Sequence, residues 1–359
     1  MQVSFSGVSC ACVLAGVLAA STPAFAQTAA PAKPANAPAT ATQNSSRSKA
    51  GAEVPRLPSG RPDLTGLWDF ATLTPLERPK EFGDRAYLTK EEVAAIEKRA
   101  ADSALTDRNP SAGDPGTYNK FWTDFGSKVV EGARNSLVID PPDGKVPPLT
   151  PAGRAREDAM WVKRQAAAQA QDLPSWDRCI IGFTAGPPIF PSGYNNNLQI
   201  FHNHDTIALM TEMVHDARII PLDGRQRLPG TIQQWRGDGR GHWDGDTLVI
   251  ESRNFSNKGT GTLVLDRQFG PRAYLGGTPD ENLRLTERFT RVNKNTLIYE
   301  FTVDDPTIWT RPWTVQTTMR TGQAMYEYAC HEGNYGLPNI LSAARSEEAK
   351  KASSKTESR

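Results

Sequence analysis

From Asn195 onward apolar and polar residues alternate with a period of two, and no other feature constrains the fold as strongly. The runs LQIFHNHDTIALMTEM, ARIIPLDG, TIQQWRG, HWDGDTLVIESRNF, ENLRLTERFTRV, NTLIYEFTVDD, TRPWTVQTTMR and AMYEYACHEG are separated by Asp-Gly, Gly-Asp and Asn-Lys-Asn turns. Short strands in succession, with no helices between them, form an antiparallel meander, and rolling it shut removes its exposed edges. The expected fold class is therefore α+β. An antiparallel β-barrel or strongly curved meander sheet occupies residues 191–345, and a helical, irregular part over residues 55–190 packs around it or plugs one end.

Local signals fill in that first part. Thr89 and Glu92 make a capping box ahead of KEEVAAIEKRAADSAL, where Val93, Ile96 and Ala100 share a face. Thr150 followed by Pro151 starts a second helix through AGRAREDAMWVKRQAAAQAQ. Between them SLVIDPPDGKVPPLT reads as a short strand and a turn.

Both chain ends differ from this body. Met1–Ala26 carries no charged side chain, has an apolar run from Val8 to Ala20, and ends in Ala24-Phe25-Ala26. That is an export signal cut after Ala26, although the usual n-region Lys or Arg is missing. The run is too short to cross about 30 Å of hydrocarbon, so stable membrane insertion is not expected. Residues 27–54 are rich in Ala, Pro, Thr and Ser with no periodicity and read as a disordered linker, as do residues 346–359 at the other end. A single domain spans residues 55–345. Signal cleavage removes Cys10 and Cys12, and in an oxidising compartment such as the periplasm Cys179 and Cys330 are expected to pair.

Charge excludes one partner class. The 41 Lys and Arg nearly balance the 40 Asp and Glu, which leaves no basic field for a nucleic-acid backbone. Walker, GxGxxG, HExxH, CxxC and GxSxG motifs are missing from the sequence, so no cofactor is expected.

All five histidines lie in the β-rich half. His202 and His204 share a strand face, with Glu212 on the same parity, but extended chain separates Glu212 from His202 by roughly 33 Å unless a hairpin intervenes, so no metal is expected. In TEMVHDARIIPLDGR, Glu212, His215, Asp216 and Arg218 interrupt an apolar run, and charges buried there require partners. Two readings fit. Either Glu212 or Asp216 pairs with Arg218 around a core His215, or Glu212 and His215 act as acid and base while Arg218 binds an anionic group. In MYEYACHEGNYG, Glu327 and His331 share one strand face about 13 Å apart, either towards a cavity or towards solvent. Arg218 and Arg236 are expected to hold a substrate carboxylate or phenolate, Tyr194, Trp243 and Asn196 to line the cavity mouth, and Asn334 to add a further substrate contact.

The phrases SLVIDPPDGKVPPLTP, EMVHDARIIPLDGR, GRGHWDGDTLVIES, RFTRVNKNTLIYEFTVDD and YEYACHEGNYGLPNIL resemble those of a widespread family of exported bacterial proteins of uncharacterised function. The resemblance spans nearly the whole folded part and implies one domain family, without implying a reaction. The barrel half also looks calycin-like, similar in architecture to lipocalins and to phenolic acid decarboxylases. The latter work without a cofactor, using Tyr, Arg and Glu in a barrel cavity. The resulting expectation is a periplasmic or secreted enzyme, a cofactor-free lyase acting on a small aromatic or other organic substrate. Its catalytic residues would be Glu212, His215, Glu327 and His331, and its substrate-binding residues Tyr194, Asn196, Arg218, Arg236, Trp243 and Asn334. The alternative is a lipocalin-like carrier of a small-molecule ligand.

Overall fold

The computed structural model describes residues 53–104, 123–258, 264–265, 274–275 and 281–357. The expected export signal and nearly all of the expected linker lie outside the described residues. Strands β1 (Gly66–Asp69) and β2 (Val138–Asp140) come from the first half of the chain. Then follow β3 (Asn197–His202), β4 (Thr206–Thr211), β5 (Ala217–Pro221), β6 (Asp238–Asp244) and β7 (Thr247–Arg253). A small separate hairpin joins β8 (Val264–Leu265) to β9 (Tyr274–Leu275). The last three are β10 (Arg284–Asn293), β11 (Thr296–Asp304) and β12 (Trp313–Thr321).

Among the described residues, the main sheet runs β5-β4-β3-β1-β12-β11-β10-β7-β6, with β2 added to β12. Every neighbouring pair is antiparallel. The two outermost strands meet at a seam. A β-carbon on Gly241 would lie 2.4 Å from Leu222 Cδ2, and one on Gly239 2.6 Å from Ile220 Cδ1. Glycine at these two positions thus lets side chains of β5 and of the residue just after it lie directly on the β6 backbone. The sheet is a nearly closed antiparallel barrel within an α+β fold, the architecture expected from the alternating pattern.

The first half contributes more than a plug. β1 is inserted between β3 and β12, with Trp68 opposite Leu198 on one side and Thr321 on the other. Four residues of GLWD are too few to show an alternation, so this strand escapes sequence reading. Helix α1 (Lys90–Ala104) carries the expected capping box: Glu92 N donates to Thr89 Oγ1 at 3.2 Å and Thr89 N donates to the Glu92 carboxylate at 2.7 Å. Helix α2 (Pro151–Ala166) begins with Gly153 N donating to Thr150 Oγ1 at 2.9 Å, with Pro151 in the first turn.

Three expected elements are corrected. Residues 346–357, expected as part of a disordered tail, belong to helix α3 (Gly336–Glu357). Their polarity hides good helix propensity, supported by the Arg345–Glu348 and Lys350–Glu347 pairs one turn apart. Arg345 also donates to the Ala168 and Ala167 carbonyls at the end of α2, at 2.7 and 3.3 Å. TIQQWRG, expected as a strand, is a series of turns with one isolated bridge at Gln234. AMYEYACHEG, expected as the final strand, is an irregular strap that leaves the sheet after Thr321.

The inward-facing residues form one apolar core. On β10 the residues Leu285, Glu287 and Phe289, and on β11 Leu297, Tyr299, Phe301 and Val303, are buried at every second position, as a sheet closed over a core requires. They pack with Trp68, Phe70, Leu198, Ile250 and Trp313 in one apolar cluster. The loop before β3 pushes Ile189 and Phe190 into that cluster, where Ile189 N donates to Tyr299 Oη at 3.0 Å.

Candidate functional site

Three segments meet at the end of the barrel where β4 turns into β5: the loop over residues 175–196, the turn over 212–216, and the strap over 322–335. Ile181, Ala185 and Met213 form a small second core there, with Ile180, Tyr194, Val214 and Tyr328 packed on it. Cys179 and Cys330 form the expected disulfide, with Cα atoms 5.7 Å apart, which ties loop to strap. Asn334 reinforces the tie by donating to the Asp177 carbonyl at 2.8 Å. The Tyr194 and Tyr328 rings stack with centroids 6.5 Å apart.

Glu212 is buried under the strap. Its carboxylate accepts from Asn197 Nδ2 at 2.8 Å and from Tyr326 N at 3.0 Å, so it fixes the strap to the end of β3. Its negative charge, with that of Asp124, adds to burial in raising the carboxyl of Asp69 above the usual carboxylate range, while Ala71 N and Arg320 pull it down. Asn196 is fully occupied in shaping the loop: it accepts from Ser192 N at 2.8 Å and donates to the carbonyls of Asp124 and Ser192.

The β4–β5 turn is strained. Val214 has φ 65° and His215 φ 55°, both left-handed. For a β-branched residue this is a steric outlier, and two in a row have to be held by surrounding contacts. The turn leaves His215 exposed, and Asp216 after it reaches Arg236 Nε at 2.8 Å. Arg236 lies against the loop, with Nη1 donating to the Ala185 carbonyl at 2.7 Å and the Gly186 carbonyl at 3.3 Å. Burial pushes the Arg236 guanidinium below its usual value, Asp216 opposes this and the nearby Arg218 adds to it.

Arg218 belongs to a different place. It points into the barrel and makes a two-pronged pair with Glu287, at 3.0 and 2.6 Å. Ser252 Oγ accepts from it at 3.2 Å, and Tyr299 Oη donates to Glu287 at 2.8 Å. Burial would lower the Arg218 guanidinium, but Glu287 overrides this and holds it above its usual value. Arg218 is therefore an internal counter-ion, not a group open to a substrate. Neither Asp216 nor Glu212 is its partner.

Trp243 also lies elsewhere. Its ring centroid is 5.6 Å from that of His202 and 5.6 Å from the Arg61 guanidinium carbon. His202 ends β3 while Asn197, the partner of Glu212, begins it, which places Trp243 about 16 Å along the strand from the Glu212 cluster. His202 and Glu212 thus sit at opposite ends of the hairpin. Among the described residues no group of three or more His, Cys, Asp or Glu is placed to hold a metal. Glu327 and His331 are exposed on the strap, so the strand spacing expected between them does not apply.

The structure thus gathers Tyr194, Asn196, Glu212, His215, Arg236, Asn334 and the disulfide around one surface region, and leaves Arg218 and Trp243 outside it. Sequence reasoning missed Asn197, the Arg236–Asp216 pair and the left-handed turn. Val214 gives no signal for such a turn, since valine is among the residues least suited to it. Comparison with protein-family models, with curated proteins and with solved structures found no match.

Proposed function

We propose that the protein is an exported enzyme carrying out acid–base chemistry of the lyase type, decarboxylation or dehydration, on a small organic substrate. Its site is the β4–β5 turn at the barrel's end. The observation that carries this reading is the strained pair Val214–His215, which leaves an exposed histidine directly before Asp216, the partner of the buried Arg236 guanidinium. Backbone strain of this kind persists where the fold over-determines it, and such places cluster at sites of function. An imidazole can both accept and donate a proton, and the Tyr194, Tyr328, Val214 and Ile180 side chains offer an apolar wall for an aromatic body. Glu212 and Asn334 serve as positioning residues that hold the strap and loop in place. Export is supported by the Ala24-Phe25-Ala26 pattern together with a disulfide.

The test is turnover by the purified mature protein against a panel of aromatic acids and sugar-derived compounds, read by mass spectrometry. His215→Asn is the informative variant, because asparagine tolerates a left-handed backbone. Its turnover is expected to fall by about 10²-fold or more with the thermal midpoint nearly unchanged. Undiminished turnover in His215→Asn, or no conversion of any compound by the wild type, would rule the reading out.

A further inference from the structure

Arg236 is a built-in cation that the protein itself uses only in part. Its side chain is 10% exposed. Nε is taken by Asp216 and Nη1 by two loop carbonyls, but Nη2 meets neither a partner nor solvent. Among the described residues the other wholly buried, unpartnered arginine atoms are all Nε, so a buried bare terminal nitrogen is particular to Arg236. Thr184, also wholly buried and adjacent to the Ala185 carbonyl that Arg236 holds, has an Oγ1 with no partner.

The Nε and Nη2 hydrogens lie on one edge of the guanidinium plane, the edge that takes both oxygens of a carboxylate at once. Asp216 does not fill that edge. Its Oδ2 sits on Nε, while its Oδ1 is held by Ala217 N at 2.8 Å and is unavailable to Nη2. Arg218, the nearby cation, is already neutralised by Glu287, so no other acceptor is expected from that side. Asp216 is itself 55% exposed at the end of the strained turn, and turning it outward gives up its bonds to Arg236 and to Ala217 N.

We infer that Arg236 is the anion subsite of the region, that its ligand is an organic carboxylate, and that Asp216 is a resident counter-ion which the ligand displaces. This deepens the proposed acid–base reading by naming the substrate class, and rests on it for the location. The incoming carboxylate takes both Nε and Nη2 where Asp216 takes one, which adds a charge-assisted hydrogen bond in a place shielded from water. Its carbon body then lies against Val214 and Tyr194, packed on the same Ala185 and Met213.

Calorimetry with benzoate, its neutral isostere benzamide and inorganic phosphate, at matched ionic strength, tests this on the mature protein. Benzoate is expected to bind the wild type at least 10-fold more tightly than benzamide or phosphate. Asp216→Asn, which removes the competitor, is expected to tighten benzoate at least 10-fold, and Arg236→Lys, which loses the fork, to weaken it at least 10-fold. Equal binding of benzoate and benzamide, equal binding of phosphate, or no gain in a folded Asp216→Asn would overturn the inference. The wild-type comparison stands even if a variant fails to fold. His215→Asn is expected to bind benzoate as the wild type does. Benzoate binding without turnover of any compound would therefore defeat the acid–base reading alone, and turnover without carboxylate preference would defeat the subsite alone.

Discussion

Arg218 and Glu287 face each other where no water reaches, with Tyr299 and Ser252 completing their hydrogen bonds. Such a pair is weak evidence of stability, since desolvating two charges offsets their attraction, but losing one partner strands the other. Glu287→Gln is expected to lower the unfolding free energy by about 3–5 kcal/mol. Arg218→Met combined with Glu287→Leu should lose far less, because no charge is left behind. Urea unfolding of the two single variants and the double variant measures the difference, and strictly additive losses would count against the coupling. That Arg218 needs a partner is legible in TEMVHDARII, an apolar run that cannot hold a lone charge. Which partner is not legible. Parity would put Asp216 on the same face as Arg218, but β5 begins only at Ala217, after two left-handed residues have broken the alternation. Glu287 lies 69 residues further on, and only the closed sheet brings it across.

Among the elements, helix starts are legible because capping is local chemistry: Thr89 with Glu92 and Thr150 with Pro151 carry their own instructions. The strap is misread for the opposite reason. Tyr326, Tyr328 and Cys330 alternate as a strand would, yet what holds them is Glu212 from one side and Cys179 from the other, not a ladder. The disulfide joins residues 151 apart, and in the chain-entropy model a loop of that size stabilises by about 5 kcal/mol. Cys330→Ser should lose a large part of that. It should also make residues 322–335, where Tyr326 and Tyr335 are already exposed, the first target of limited proteolysis. Mass spectrometry of the early fragments is the measurement, and cleavage elsewhere first would show that Glu212 and Asn334 suffice to hold the strap.

Taken whole, the barrel is readable from alternation because a period of two is imposed along every strand by burial on one side. The site is less readable because it is assembled from turns and loops, whose geometry depends on what they rest against. Closure depends on β1, which joins β3 to β12. A chain ending before Trp313 would leave β1 and β11 each with one neighbour instead of two, and is expected to be insoluble, with two open edges available to other chains. Recovery of a soluble, monomeric fragment by size-exclusion chromatography would contradict this. The same arrangement sets an order in time. Among the described strands β1 is made first, yet it gains its second neighbour only once β12 has been made, so the barrel stays unclosed until then and its folding is paced by contacts between strands far apart in the chain.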